Sequence, residues 1–229
     1  MPLIAALDIA DAPPVWTGLG FTVDGGVAWA DGVAHRLGCD GKGIVGWSLA
    51  GVTLPPGAED LDGLPTTATA GEEPAGSGWG GEAATVTGSG SEASGATHPN
   101  GVIGLDHVVV ATPDHGRSIA ALEAAGLVLR RNRETGSYGA PMLQGFFRLG
   151  PVILEVIGPV EPSGDGPAGF FGLAWTCASL DATGSWLGSR LHAPKDAVQA
   201  GRRIATLDRH AGSRVAMAFM SPVPAGSPQ

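Results

Sequence analysis

The sequence predicts an α+β fold built from repeated βαβββ modules. Three observations carry this expectation. The order strand, helix, three strands occurs twice between residues 102 and 222. Within those strands one parity is wholly apolar and the other is mixed, as expected for side chains that alternate between two sheet faces. The composition is globular, with 43% apolar and 15% charged residues. A chain of 229 residues is long enough for one large domain or two small ones.

The first segment, 1–54, repeats the module faintly. Leu3–Ala10 reads as a strand and Pro14–Leu19 as a stub helix. Phe21–Ala30, Gly32–Leu37 and Ile44–Ala50 then read as strands. This segment is a degenerate βαβββ half-module for packing or dimerisation, with Trp16, Trp29 and Trp47 as core or interface residues and His35 as structural. Residues 55–101 are dominated by Gly, Ser, Thr, Ala, Pro and Glu. Such a stretch buries too little apolar surface to offset its ordering entropy, so a flexible linker is expected, with Trp79 exposed in it. His98-Pro99-Asn100-Gly101 is turn chemistry leading into the next strand.

The third segment, 102–222, holds two modules, 102–160 and 168–222. In the first, Ile103–Ala111 is a β-rich run ending at Thr112-Pro113-Asp114. Arg117–Ala125 has Ile119, Leu122 and Ala125 at helical spacing, and Gly126 stops the helix. Leu127–Arg133, Met142–Leu149 and Val152–Ile157 follow as strands. In the second, Gly172–Ala178 is a strand and Leu180–Leu187 a helix. A looser Leu191–Val198, then Arg203–Leu207 and Val215–Met220, complete the module. Residues 223–229 are a tail.

Parity locates a candidate site in the first module. One face selects Val108, Val110, Leu143, Phe147, Leu149, Val152, Leu154 and Val156, and suits a face covered by the helix. The other selects His107, Val109, Gln144, Phe146, Arg148, Ile153, Glu155 and Ile157. A solvated face does not need Phe146, Ile153 and Ile157, and a pure core does not tolerate His, Gln, Arg and Glu without partners. A half-apolar cleft with a few convergent polar groups satisfies both conditions, and that is the usual make-up of a small-molecule site.

Several function classes are disfavoured. The net charge of −9 is concentrated in the first hundred residues, and no basic stripe exists, which argues against nucleic-acid binding. No run of about 18 apolar residues is present, so no membrane-spanning helix is expected. The N-terminus lacks a signal-peptide pattern. Cys39 and Cys177 make no disulfide framework, so a reduced cytoplasmic setting is expected. Phosphate-loop, dinucleotide-fingerprint and Ser-His-Asp motifs are absent.

The run LDHVVVATPD, a helix ending AAG, and QGFFRLGPVILEVIGP together resemble the vicinal-oxygen-chelate superfamily of glyoxalase I, extradiol dioxygenases and bleomycin-resistance proteins. The resemblance covers about residues 102–222 and implies two modules facing a shared cleft. Its anchors, a His on a module's first strand and a Glu on its fourth, match His107 and Glu155. It implies a divalent metal held by these two, of the Zn, Fe, Mn, Ni or Co kind that imidazole and carboxylate suit. It also implies a small-molecule partner and a homodimer. Alignment of the modules sets Ala174 at the position of His107 and Ala218 at that of Glu155, so the second module offers neither ligand.

Each residue also has a plainer reading. His107 is either a ligand or a hydrogen-bonded core histidine. Glu155 is either a ligand and proton carrier, or the partner of Arg148 in a salt bridge. Arg148 alternatively holds a substrate carboxylate. Gln144 is a third ligand or simply satisfies a neighbour, and Phe146 lines the cleft. Lys195, Asp196, Gln199, Arg202 and Arg203 form a polar loop expected to be solvated, and Arg130, Arg131 and Arg133 are expected to be exposed. Cys177 is expected to be buried and inert. Two functions stay open. One is a metal-assisted lyase, isomerase or dioxygenase in which Glu155 moves a proton. The other is a metal-free binding protein of the bleomycin-sequestering type, with its ligand between Phe146, Ile153, Trp175 and Met220.

Overall fold

The computed structural model describes residues 1–69, 97–136 and 139–224. In chain order the elements are β1 (Leu3–Ile9), α1 (Pro13–Gly18), β2 (Val27–Ala30), β3 (Val33–Leu37), β4 (Ile44–Ala50), β5 (Asp60–Leu61), β6 (Leu64–Thr69) and β7 (Val102–Ala111). They continue as α2 (His115–Ala124), β8 (Leu129–Thr135), β9 (Met142–Leu149), β10 (Val152–Pro159), β11 (Gly169–Cys177), α3 (Leu180–Leu187), β12 (Lys195–Asp196), β13 (Arg203–Thr206) and β14 (Ala216–Met220).

The last eight strands form one sheet in the order β12-β13-β14-β11-β7-β10-β9-β8. β7 and β11 pair antiparallel at its centre. Each runs parallel to the last strand of its own module, β10 or β14. Antiparallel hairpins then complete each side. This is the expected pair of βαβββ modules. Local chemistry sets the punctuation. Asp114 caps α2 by accepting the Arg117 N–H at 3.0 Å, and Ser179 caps α3 by accepting that of Ala182 at 3.3 Å. The hairpin between β9 and β10 turns on Gly150, at a φ of 63° that favours glycine.

The N-terminal part departs from expectation. Its sheet has six strands in the order β2-β3-β1-β4-β6-β5. β4 runs antiparallel to β1, so it is not the fourth strand of a module begun by β1, which would run parallel. It instead opens a second, shorter half, with β6 parallel to it and β5 folded back on β6. The linker expected over 55–101 is therefore corrected, since Asp60–Leu61 and Leu64–Thr69 are strands. These were hidden by a Pro- and Thr-rich sequence. Thr66 is buried in β6 only because it accepts the Trp47 indole N–H at 2.7 Å and donates to the Leu64 carbonyl. Residues 70–96 of the expected linker, including Trp79, lie outside the described residues.

One apolar core joins the two sheets. On the eight-stranded sheet the buried face comprises Val108, Val110, Phe147, Leu154 and Val156, as the parity of the first module anticipated, together with Trp175 and Phe219 of the second. Ile119 and Leu122 of α2 cover part of it. The N-terminal part covers more, with Trp16 of α1 edge-on to Trp175 at 5.7 Å and Trp47 of β4 edge-on to Phe170 at 5.1 Å. Polar ties seal the contact. The buried Asp11 carboxylate accepts the Trp16 indole, the Ser213 hydroxyl at 2.6 Å and the Arg214 N–H at 3.0 Å. Arg117 pairs with Asp62 at 2.6 Å. The opposite face of the eight-stranded sheet is left as the cleft.

His35 lies in this core, stacked near Trp16 and Trp175, with Nδ1 bonded to the Ala28 carbonyl at 3.0 Å. Burial lowers its pKa from 6.5 to about 4. His98 and His115 are lowered for the same reason. Because the folded-state value lies below the unfolded one, stability is full above pH 6.5 and falls as pH drops toward 4. For His35 alone the loss is roughly 3 kcal/mol. Denaturation midpoints measured across that range are expected to fall, and an NMR titration should find His35 neutral until near pH 4. Protonation of His35 at an ordinary histidine pH contradicts this reading.

Candidate functional site

The site is organised by an irregularity in β7. In its pairing with β11, Ala174 sits opposite His107 and Trp175 opposite Leu105, so Asp106 is an extra residue in the strand. Such a bulge re-aims side chains. Here it brings Asp106 beside His107, with Asp106 Oδ1 3.0 Å from His107 Nδ1. The other oxygen, Oδ2, accepts the Thr176 hydroxyl at 2.8 Å and pairs with Arg202 at 2.6 Å. Both side chains of that ion pair are almost wholly buried, at 8% and 4% exposed. Arg202 also donates to the Thr176 hydroxyl at 3.2 Å, the Ser221 carbonyl at 2.9 Å and the Gln199 side chain at 2.6 Å.

These contacts decide the charge on Asp106. Burial pushes its carboxyl upward, but the hydrogen bonds and charges of His107 and Arg202 outweigh this and hold it well below the usual carboxylate range. An ionised Asp106 only accepts, so the His107 Nδ1–H donates to it. In neutral His107 that leaves the Nε2 lone pair directed away from Asp106.

Glu155 enters from β10, beside β7. The register sets Ile153 against His107 and Glu155 against Val109, so imidazole and carboxylate meet diagonally, with His107 Nε2 3.8 Å from Glu155 Oε2. That is too far for a direct hydrogen bond and short enough for both to touch one bound group. The other Glu155 oxygen, Oε1, accepts from the buried Gln144 amide. Gln144 Oε1 in turn accepts the Arg133 Nε–H at 2.8 Å, and the Arg133 guanidinium lies 5.2 Å over the Phe146 ring. A row of polar side chains thus crosses the cleft face in the order Arg202, Asp106, His107, Glu155, Gln144, Arg133, hydrogen-bonded throughout except at the 3.8 Å gap between His107 and Glu155.

The structure brings His107, Glu155, Gln144 and Phe146 together, as parity predicted. It sets other residues apart from their expected places. Arg148 is exposed and forms no ion pair with Glu155 among the described residues; it borders a neighbouring cavity. Trp175, expected against a ligand, is fully buried on the opposite face: β11 alternates without a break here, with Ala174 opposite His107 on the cleft side and Trp175 opposite the buried Leu105. Met220 is buried too. The register also revises the module alignment. Ile153 pairs with His107 as Ala218 pairs with Ala174, so Met220 rather than Ala218 corresponds to Glu155. Neither is a ligand. Cys177 is buried, and burial pushes its thiol up to about 11.

Sequence reasoning missed Asp106, Arg133 and Arg202. Strict period-two counting puts Asp106 on the buried face, and only the bulge overrides it. Arg202 sits in a polar loop that reads as solvated, and nothing local marks it as the partner of a carboxylate about a hundred residues away.

Two cavities lie on this side of the sheet, one bordered by His107 and the other by Asp106; Glu155 lines neither. One, of about 570 Å³, is lined by His107, Val109, Ala174, Ala218 and residues 206–209 and 213–217. The other, of about 770 Å³, is lined by Asp106, Ile153, Arg148, Thr176 and Arg202. The donor set does not fit a metal resident in one chain. Among the described residues no three His, Cys, Asp or Glu side chains are placed to hold an ion. His107 and Glu155 supply two ligands where catalytic sites use three, and Gln144 Oε1 is engaged by Arg133.

No protein family and no curated protein matches the sequence. Solved structures do. A methylmalonyl-CoA epimerase from Mycobacterium tuberculosis is 22% identical with a TM-score of 0.44, over 54% of this chain and 91% of its own. One from Streptomyces coelicolor, in complex with 2-nitronate-propionyl-CoA, is 17% identical with a TM-score of 0.45, over 56% and 99%. A hypothetical protein from Bacillus halodurans is 16% identical with a TM-score of 0.44, over 54% and 97%. The paired βαβββ sheet is itself the vicinal-oxygen-chelate fold that the sequence resemblance implied.

The Asp106–Arg202 pair sets a stability expectation. Arg202→Met leaves a buried carboxylate without its cation and is expected to cost about 3 kcal/mol in chemical denaturation. Adding Asp106→Asn removes the stranded charge and should recover part of that loss. A double variant no more stable than Arg202→Met contradicts the pairing.

Proposed function

We propose that this chain is a vicinal-oxygen-chelate enzyme that moves a proton on a small organic molecule, with His107 and Glu155 as the proton-carrying groups. The observation that supports it most is the sequence of contacts behind and beside the imidazole. Asp106, held ionised by Arg202, fixes the His107 ring, and Glu155 Oε2 stands 3.8 Å from its free Nε2. An imidazole oriented by a buried carboxylate is the usual form of a positioned general base. Positive charge developing on His107 as it takes a proton is stabilised by Asp106 behind it.

Glu155 is the second carrier. Gln144 holds one oxygen and leaves the other toward the cleft, so the carboxylate is aimed without being neutralised by a cation. A C–H or O–H group seated between Nε2 and Oε2 is then within reach of two proton acceptors, so one takes the proton while the other, if protonated, returns one. Phe146 and Ile153 supply the apolar wall beside them, and Arg148 stands at the margin of the cleft as a candidate contact for a polar substituent. Ala174 faces His107 across the sheet and leaves room for the substrate. A divalent ion joins this reading only where a second copy or the substrate brings further ligands to His107 and Glu155, and no step is assigned to it.

The reading is tested by proton exchange in D2O. Small carbonyl acids are incubated with the protein, and deuterium entering next to the carbonyl is followed by NMR. His107→Gln and Glu155→Gln are each expected to slow exchange by about 10²–10⁴-fold with folding intact. Exchange at the wild-type rate in both variants overturns the assignment. Binding of the same acids without any exchange points instead to a sequestering protein.

A further inference from the structure

The cavity of about 570 Å³ beside His107 has features that proton transfer does not use. Its inner wall is small and apolar, made by Val109, Ala174 and Ala218, and its other side carries Lys42, Arg209 and Arg214. Lys42 comes from the loop between β3 and β4 of the N-terminal sheet, whereas the two arginines come from the loop between β13 and β14. Asp11, just after β1, bridges the two loops: its carbonyl accepts the Gly38 N–H at the start of the β3–β4 loop at 2.8 Å, and its carboxylate accepts the Ser213 hydroxyl at 2.6 Å and the Arg214 N–H at 3.0 Å.

Charge at this mouth is unbalanced. Lys42, Arg209 and Arg214 are exposed and enter no ion pair among the described residues. The one carboxylate of the lining, Asp208, is already engaged. Its Oδ1 accepts the His210 N–H at 2.7 Å, and its Oδ2 lies 3.6 Å from His192 Nε2. Three cations against one occupied carboxylate, in a chain whose net charge is −9, is a local reversal of sign. Such a reversal at the rim of an apolar cavity attracts and orients an anion.

We infer that this cavity binds a small organic acid, with its apolar body against Val109, Ala174 and Ala218 and its carboxylate or phosphate among Lys42, Arg209 and Arg214. The inference deepens the proton-transfer reading by naming the class of molecule delivered to His107. It also assigns the N-terminal sheet a part in recognition, through Lys42.

Benzoate and its neutral near-isostere benzamide are suitable probes, titrated into the full chain by calorimetry and by amide NMR. Benzoate is expected to perturb the amides of Val109, Ala174 and Ala218, to bind about tenfold tighter than benzamide, and to weaken with added salt. Lys42→Gln/Arg214→Gln, whose parent side chains are exposed, is expected to keep the wild-type melting temperature. It should bind benzoate about tenfold more weakly and benzamide unchanged. Equal binding of the two probes, or full benzoate affinity in the double variant, overturns the inference. Benzoate binding retained in His107→Gln supports the anion site whether or not that variant still exchanges protons, so failure of either reading shows separately.

Discussion

A single inserted residue in the central strand governs the site. Without the bulge at Asp106, β7 would send that carboxylate into the apolar core and leave His107 without a partner. With it, Asp106 and His107 share the cleft side, and Arg202 is drawn into a buried ion pair to balance the charge. Burying that ion pair costs desolvation, which the several hydrogen bonds to Asp106 and Arg202 offset. Buried ion pairs in general add little to stability over an apolar pair of the same volume; what this one does is hold Asp106 ionised behind the imidazole.

The two sheets divide the work. The N-terminal part covers the apolar back of the eight-stranded sheet, through Trp16, Phe21 and Trp47 against Trp175 and Phe170. This lets the other face stay open and mixed in polarity. The same contact sets Asp11 on the loop before β14, so a stabilising interface also shapes one wall of the cavity beside His107.

How much was legible in the sequence follows from the range of each interaction. The two complete modules were readable because their strands alternate and their helices carry caps and a terminal glycine, all local signals. His107, Gln144, Phe146 and Glu155 fell on one face by simple counting, and they do meet. Counting fails where register slips. Asp106 went unnoticed because plain alternation from His107 would bury it, and only the bulge brings it to the cleft side; Trp175, expected against a ligand, is core, where alternation from Ala174 puts it. The six-stranded N-terminal sheet was half hidden, because β6 is rich in Pro and Thr and held by pairing with β4, and the two-residue β5 is held by pairing with β6, rather than by their own propensity. Arg202 was invisible, since a buried arginine in a loop is recognised only by the carboxylate it meets across the fold.

The central claim is that Asp106 fixes the protonation pattern of His107. Nitrogen-15 NMR of the histidine side chains measures this directly. Near neutral pH, the neutral form of the His107 ring is predicted to carry its proton on Nδ1 with Nε2 bare, and Asp106→Leu is predicted to release that preference while the fold persists. A His107 ring protonated on Nε2 and bare at Nδ1, or one indifferent to the loss of Asp106, contradicts the claim.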